Sequence, residues 1–272
     1  MKRVKENSLD SRMKQYEAST DIQLVPKMPI VIRIDGKAFH TYTKGMVKPF
    51  DDVLGYAMRE TTRALCKEVH TCVFGYTQSD EITLILKLPS RITSEEYFGA
   101  RLEKIVSVTA SKATKHFNKF FTQKVNELKA SGEEIDESLM ENYIKKAGDA
   151  EFDCRAFNMP EWDCINNIIW RQNDAMRNSV EMVGHANFSS KELYKVNVAG
   201  IKEKLLNEKG FDWESAFDSY QKYGASCYKV SYTKEVDGEE VKRTEWHIDT
   251  ENNKIIKENR DWFKQVTHLS ED

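Results

Sequence analysis

The apolar positions of this chain repeat in two different periods. From Met28 to Ile34 (MPIVIRI) they run almost unbroken and stop at Asp35-Gly36, the profile of a buried strand. After Asp51-Asp52 the residues Val53, Leu54, Ala57, Met58, Thr61, Ala64 and Leu65 return every three to four positions. This predicts an aspartate-capped helix ending near His70. CVFGYTQSDEITLIL, Cys72 to Leu86, sets two apolar stretches around Gln78-Ser79-Asp80-Glu81. It predicts a β-hairpin with acids at its tip, closed by Pro89. A long helix is expected from Ser94-Glu95-Glu96 to about Lys129, with Leu102, Ile105, Val106, Ala113, Phe117 and Phe120 on its buried side. Residues 130–150 read as a polar surface excursion, FDCRAF as a short strand before Pro160, and Glu161 to Val183 as a helix. Ser189-x-x-Glu192 has the pattern of a capping box, and a further helix is expected to end at Gly210. In the tail, CYKVSY and VKRTEWHI flank Asp237-Gly238, which predicts a hairpin with a two-residue turn. The first 27 residues are polar, with helix expected around Arg12 to Glu17.

Strand, helix, hairpin, helix, strand, helix is not the regular alternation of a doubly wound sheet. It predicts an α+β fold, an antiparallel sheet covered by helices on one side. The expected organisation is a catalytic domain over residues 1–235, interrupted by the excursion at about 130–150, and a C-terminal hairpin extension over 236–272.

Composition narrows the function. At 40% apolar residues the chain can build a core, and 31% charged residues of mixed sign describe a soluble surface. A net charge of −3 gives no general attraction for nucleic acid, so any RNA contact must use local basic patches. No apolar run approaches the roughly 18 residues of a membrane span, and the charged N-terminus leads into no apolar stretch, so a cytoplasmic protein with no membrane partner is expected. Five cysteines without a C-x-x-C pair read as reduced thiols rather than a zinc site.

Alone, Asp35-Gly36 is a tight turn and the hairpin acids are a solvated tip. Together they say more. One strand ends in an acid, a helix crosses over, and the next strand pair carries an acid at its bend. If these strands are neighbours, Asp35 and Asp80 stand within a few ångströms of each other. Two bare carboxylates that close raise each other's pKa, and a divalent cation removes the conflict. Two Mg²⁺ ions about 3.5–4 Å apart would activate an attacking oxygen and stabilise a leaving one. Gly36 would let phosphate or metal approach the backbone.

RIDGKAFH followed by GYTQSDE, then FDCR (Phe152 to Arg155) and WRQND (Trp170 to Asp174), resembles the tRNA-His guanylyltransferase family over roughly residues 8–230. That resemblance implies a fold like the palm of nucleic-acid polymerases and nucleotide addition to the 5′ end of tRNA. ATP commonly activates the 5′-monophosphate, and the 3′-hydroxyl of an incoming GTP or other nucleoside triphosphate then attacks it. It further implies two Mg²⁺ ions, with Asp35, Asp80 and the Gly36 carbonyl as ligands and Glu81 supporting the metal centre. Lys37, Ala38, Phe39 and His40 would lie along the triphosphate, Ser79 would touch the nucleotide, and Lys48 would meet phosphate. Arg101 and Lys104 align with basic positions that could contact the activating triphosphate. The family also suggests a homotetramer.

The chain departs from the family after WRQND. AMRNSVEM, Ala175 to Met182, stands where tRNA-His enzymes have C-H-I-N-N-L-Y-N, and only Asn178 keeps register. This looks more like the bacterial and phage guanylyltransferase-like branch, whose members fill in missing 5′ nucleotides against a template. Addition of guanosine at position −1 of tRNA-His is the alternative. A nucleotide cyclase and a non-catalytic RNA-binding protein are the more distant ones. Asn167, Arg171, Asp174 and Asn178 share one helical stripe and read as a polar face, with Ile165, Ile169, Met176, Val180 and Val183 opposite. Arg171 and Asn178, together with Lys112, Lys115 and Lys119 beside His116 on the long helix, are the candidate RNA contacts.

Overall fold

The structure is a computed structural model that describes residues 8–91, 93–236, 239–251 and 254–270. In chain order the first half holds α1 (Leu9–Ala18), β1 (Ile30–Gly36), α2 (Phe39–Tyr42), α3 (Asp52–Glu68), β2 (Cys72–Gln78), β3 (Glu81–Leu86), α4 (Leu102–Ser131) and α5 (Glu137–Lys146). The second half holds β4 (Phe152–Asn158), α6 (Glu161–Asn187), α7 (Val198–Lys209), α8 (Trp213–Ala216), α9 (Ser219–Tyr223), β5 (Ala225–Val236), β6 (Glu239–Asp249) and α10 (Arg260–Thr267).

The six strands form one sheet in the order β4-β1-β3-β2-β5-β6, and every pairing is antiparallel. Alternation along β1 divides the core. Ile30, Ile32 and Ile34 join Ile82, Leu84 and Leu86 in a cluster with α3 and α4. Val31 turns the other way and packs with Phe74, Tyr76 and Ile85 against Cys164, Ile165 and Ile168 of α6 and Phe263 of α10. Helices therefore cover both faces, not the single face expected. A third cluster joins the end of α6 to α7 and α8 through Val180, Val183, Ile201, Leu205 and Trp213. At Gly75 a Cβ would sit 2.3 Å from the Cys66 sulfur, so α3 packs on β2 only because the side chain is missing. All five cysteines are free thiols.

Several boundaries differ from the sequence expectation. Helix α4 begins at Leu102, not Ser94, because Phe98 and Gly99 take positive φ (53° and 60°) and break the run. The surface excursion at 130–150 contains α5, whose Tyr143 is buried and donates its hydroxyl to Asp51 Oδ2 at 2.6 Å. The same carboxylate accepts the Leu54 and Val47 N–H groups, each at 2.9 Å, so one aspartate caps α3 and anchors α5. Ser189 and Glu192 make the reciprocal capping contacts, yet a turn follows them, and α7 starts later from the Asn197 cap. The tail is no appendage: β5 and β6 extend the main sheet, and Ile256, Phe263 and Leu269 are buried on its second face. Asp237-Gly238, the expected turn, lie outside the described residues.

Candidate active site

Two chain ends of the sheet meet at one point. Gln78 pairs with Glu81, and Ser79-Asp80 close the hairpin with Ser79 in the left-handed region (φ 50°). Beside the hairpin, Asp35 pairs with Glu81 on one side and Asp153 on the other. The Gly36 N–H donates to the Asp80 carbonyl at 3.1 Å. Asp35-Gly36 is thus no hairpin turn. It is the end of a central strand, placed against the tip of the next pair. A Cβ on Gly36 would lie 2.3 Å from the Phe39 ring, so glycine is what lets the chain turn into α2 with Phe39 packed beneath.

The electrostatics follow from this juxtaposition. Burial pushes the Asp80 carboxyl up, and the charge of Asp35 pushes it further; contacts with its own backbone and Ser79 pull the other way. Asp35 is likewise raised by burial and then by Asp153, against the pull of Arg155, Arg33 and Arg171. Among the described residues neither acid has an ion-pair partner within 4.0 Å. Glu81 differs. It is 7% exposed and its Oε1 accepts from Arg171 Nε at 2.6 Å. Arg171 also donates to Asp174 Oδ2 at 2.8 Å, and Arg177 closes on the same carboxylate.

Among the described residues no three His, Cys, Asp or Glu side chains converge into a cage that could hold a metal by themselves. The donors present are two repelling carboxylates and backbone carbonyls, with Asp80 and Gly36 at the wall of an open space. That set fits Mg²⁺, which keeps much of its shell for water and phosphate oxygens.

The open space is a cavity of about 550 Å³ between the α2–α3 loop, the hairpin tip, the middle of α6 and α9. Of the residues singled out from sequence, Gly36, Ala38, Phe39, His40, Lys48, Ser79, Asp80 and Asn178 line it. Asp35, beside Gly36, and Lys37 are not part of its wall; the Lys37 amine pairs with Glu151 on the surface. Arg101 and Lys104 are also elsewhere. Arg101 pairs with Asp21 at 2.8 Å and bridges to Gln23. Nearby, the Val25 N–H donates to Asn158 Oδ1, and Asn158 stands opposite Ile30. That is the far end of β1 from Asp35, about 17 Å along the strand.

The expected basic patch on α4 divides. Lys112 and the buried His116 face Glu68 of α3 at 3.3 and 2.9 Å, whereas Lys115 and Lys119 are exposed. Arg171 corrects the reading of an RNA-facing stripe. It is 6% exposed and its charge is spent on Glu81 and Asp174 inside the chain. Asn167 is buried too, so the polar stripe of α6 turns inward at this level. Sequence reasoning missed Arg59 and Tyr220, which stack at 4.0 Å in the cavity wall. Nothing local marks Tyr220.

An antiparallel sheet with helices on both faces, and paired acids at the junction of a central strand and a hairpin tip, defines a palm-like nucleotidyltransferase. The sequence model of tRNAHis guanylyltransferase (Thg1) matches residues 10–160. A bacterial Thg1-like protein solved in complex with ATP superposes with a TM-score of 0.81 at 35% identity, covering 97% of this chain and 100% of that one. A structure of a bacterial Thg1-like protein with GTP gives 0.75 at 32% identity over the same shares. The tRNA(His) guanylyltransferase of Schizosaccharomyces pombe is 27% identical over 77% of this chain and 76% of its own length. The chain belongs to the tRNAHis guanylyltransferase (Thg1) family and is a nucleotidyltransferase.

Proposed function

We propose that the protein adds nucleotides to the 5′ end of tRNA in the 3′–5′ direction, reading the facing strand as template, and so repairs truncated 5′ ends. The observation that carries this reading is the contact of Gly36 N–H with the Asp80 carbonyl at the mouth of a cavity of nucleotide size. In this proposal Asp35, Asp80 and the Gly36 carbonyl hold two Mg²⁺ ions, which when bound neutralise charge on the attacking and leaving oxygens. ATP activates the 5′-monophosphate, and GTP or another nucleoside triphosphate occupies the cavity. His40 and Lys48 lie on its wall and are suited to the triphosphate. Glu81, fixed by Arg171, keeps the hairpin tip in place rather than touching substrate. Structures of bacterial Thg1-like proteins with ATP and with GTP support nucleotide binding in this fold.

Template dependence is favoured over position −1 addition by α6. Ala175, Asn178, Ser179 and Met182 line the cavity where the tRNA-His enzymes carry their C-H-I-N-N-L-Y-N segment. The test is an extension assay with 5′-truncated, 5′-monophosphorylated tRNAs, ATP and each nucleoside triphosphate. Incorporation should follow the opposing base. Guanosine added regardless of template, opposite the tRNA-His discriminator base, would establish the alternative. Product formation from nucleotides without RNA would point to a cyclase. We further propose a homotetramer acting in the cytoplasm, to be checked by sedimentation and by localisation of a tagged chain. Among the described residues no helix is long and apolar enough to cross a membrane.

A further inference from the structure

The geometry points to Trp170, Arg33 and Arg155 as the platform that receives the 5′-terminal nucleotide of the RNA. This rests on the functional reading above. The cavity takes a mononucleotide; the end of an RNA helix needs an open side from which to reach the same acids. The face of β1 and β4 that carries Asp35 supplies one. Side chains alternate along a strand, so Arg33 projects from the same face as Asp35, two residues back and about 7 Å away. Register sets Arg155 beside Arg33 and Asp153 beside Asp35.

Neither arginine is consumed by the fold. The Arg33 Nε is buried without a hydrogen-bond partner, and among the described residues no carboxylate lies within 4.0 Å of its guanidinium. Among the described residues Arg155 reaches only Asp153, at 3.9 Å, and is exposed. Beside Arg33 stands Trp170, a large apolar side chain left 54% exposed on α6. Its ring centroid lies 4.4 Å from the Arg171 guanidinium and 5.8 Å from that of Arg33. Arg171 is itself locked by Glu81 and Asp174, so the indole is held from behind by a fixed cation. A braced, exposed aromatic plate beside two unspent guanidiniums suits a nucleotide end. The plate stacks any base, and the guanidiniums take the phosphate.

The test uses the full chain and a 3′-labelled, 5′-truncated tRNA carrying either a 5′-monophosphate or a 5′-hydroxyl, read by fluorescence anisotropy. Mant-GTP binding and sedimentation are measured alongside. Trp170→Ala should weaken tRNA binding about fivefold or more, the size of one lost base–aromatic stack, and Trp170→Phe should restore most of it. Arg155→Ala, on the surface and safe for folding, should erase the preference for the 5′-phosphate. Mant-GTP affinity should stay unchanged in all three. Variants that match wild type in tRNA affinity and phosphate preference would overturn this inference alone, as would a Trp170→Ala effect confined to oligomeric state. Wild-type protein that binds neither tRNA nor mant-GTP would overturn the functional reading and this inference with it.

Discussion

Replacing Arg171 with alanine tests the internal bracing of the hairpin. The Arg171 and Glu81 side chains are only 8% and 9% exposed, and their bond is 2.6 Å long. Removing the cation leaves a carboxylate stranded in the interior, which costs about 3–5 kcal/mol. With 272 residues and an unfolding entropy of about 2.1 cal/mol/K per residue, that is a fall in Tm of about 5–9 °C. The pH dependence is a second signature. Burial raises the Glu81 carboxyl above its ordinary value of 4.5, while Arg171 pulls it down. Without Arg171 it rises further. A carboxyl raised in the folded state contributes its full stability below the unfolded pKa and loses it as pH climbs through the folded one. The deficit of Arg171→Ala should therefore be small near pH 5 and grow toward pH 8. Calorimetry in EDTA across this range measures both. Arg171→Met combined with Glu81→Leu should recover much of the loss, because no charge is left stranded. A deficit below about 1 kcal/mol, or one that grows toward acid, would refute the argument.

Four further outcomes are expected. Asp35→Ala and Asp80→Ala should each abolish nucleotide addition while leaving tRNA affinity largely intact; a variant that still extends tRNA would remove its acid from the proposed metal site. Asp80→Asn relieves the repulsion from Asp35, so in EDTA it should melt no lower than wild type, and added Mg²⁺ should raise the Tm of wild type but not of the variant. Gly36→Ala forces a methyl against the Phe39 ring and should cost about 1–3 kcal/mol in urea unfolding, with loss of activity. Tyr143→Phe leaves the Asp51 cap on α3 but removes its bond to α5, for about 1.5 kcal/mol by the same measurement.

What could be read from the sequence was what neighbouring residues decide. The run to Ile34 and the two sides of the hairpin carry their own periodicity, and Asp51 caps the helix that follows it. Asp35 and Asp80 were each ambiguous alone and informative as a pair, because antiparallel pairing of β1 with β3 makes strand ends into neighbours. Arg171 went the other way. On a helical wheel it reads as solvated, and only Glu81, ninety positions earlier, makes it a buried brace. Ser189 and Glu192 show the same limit in miniature: the reciprocal bonds form as the pattern requires, but Lys195 takes a positive φ (61°) and the helix waits for Asn197. The tail's share in covering the second sheet face, beside α6, was missed because Ile256, Phe263 and Leu269 are scattered through a polar stretch. No local period announces what they pack against.

Those three residues also set an order of events during synthesis. The hairpin bearing Asp80 comes early in the chain, and α6 covers Phe74 and Tyr76 only in part until residues 256–269 are made and pack beside it. A nascent chain halted before then holds its strands but leaves part of that face apolar and bare, a species prone to associate with other copies of itself. Closure of the sheet that carries Asp80 thus waits on residues 256–269, none of which lines the cavity beside that acid.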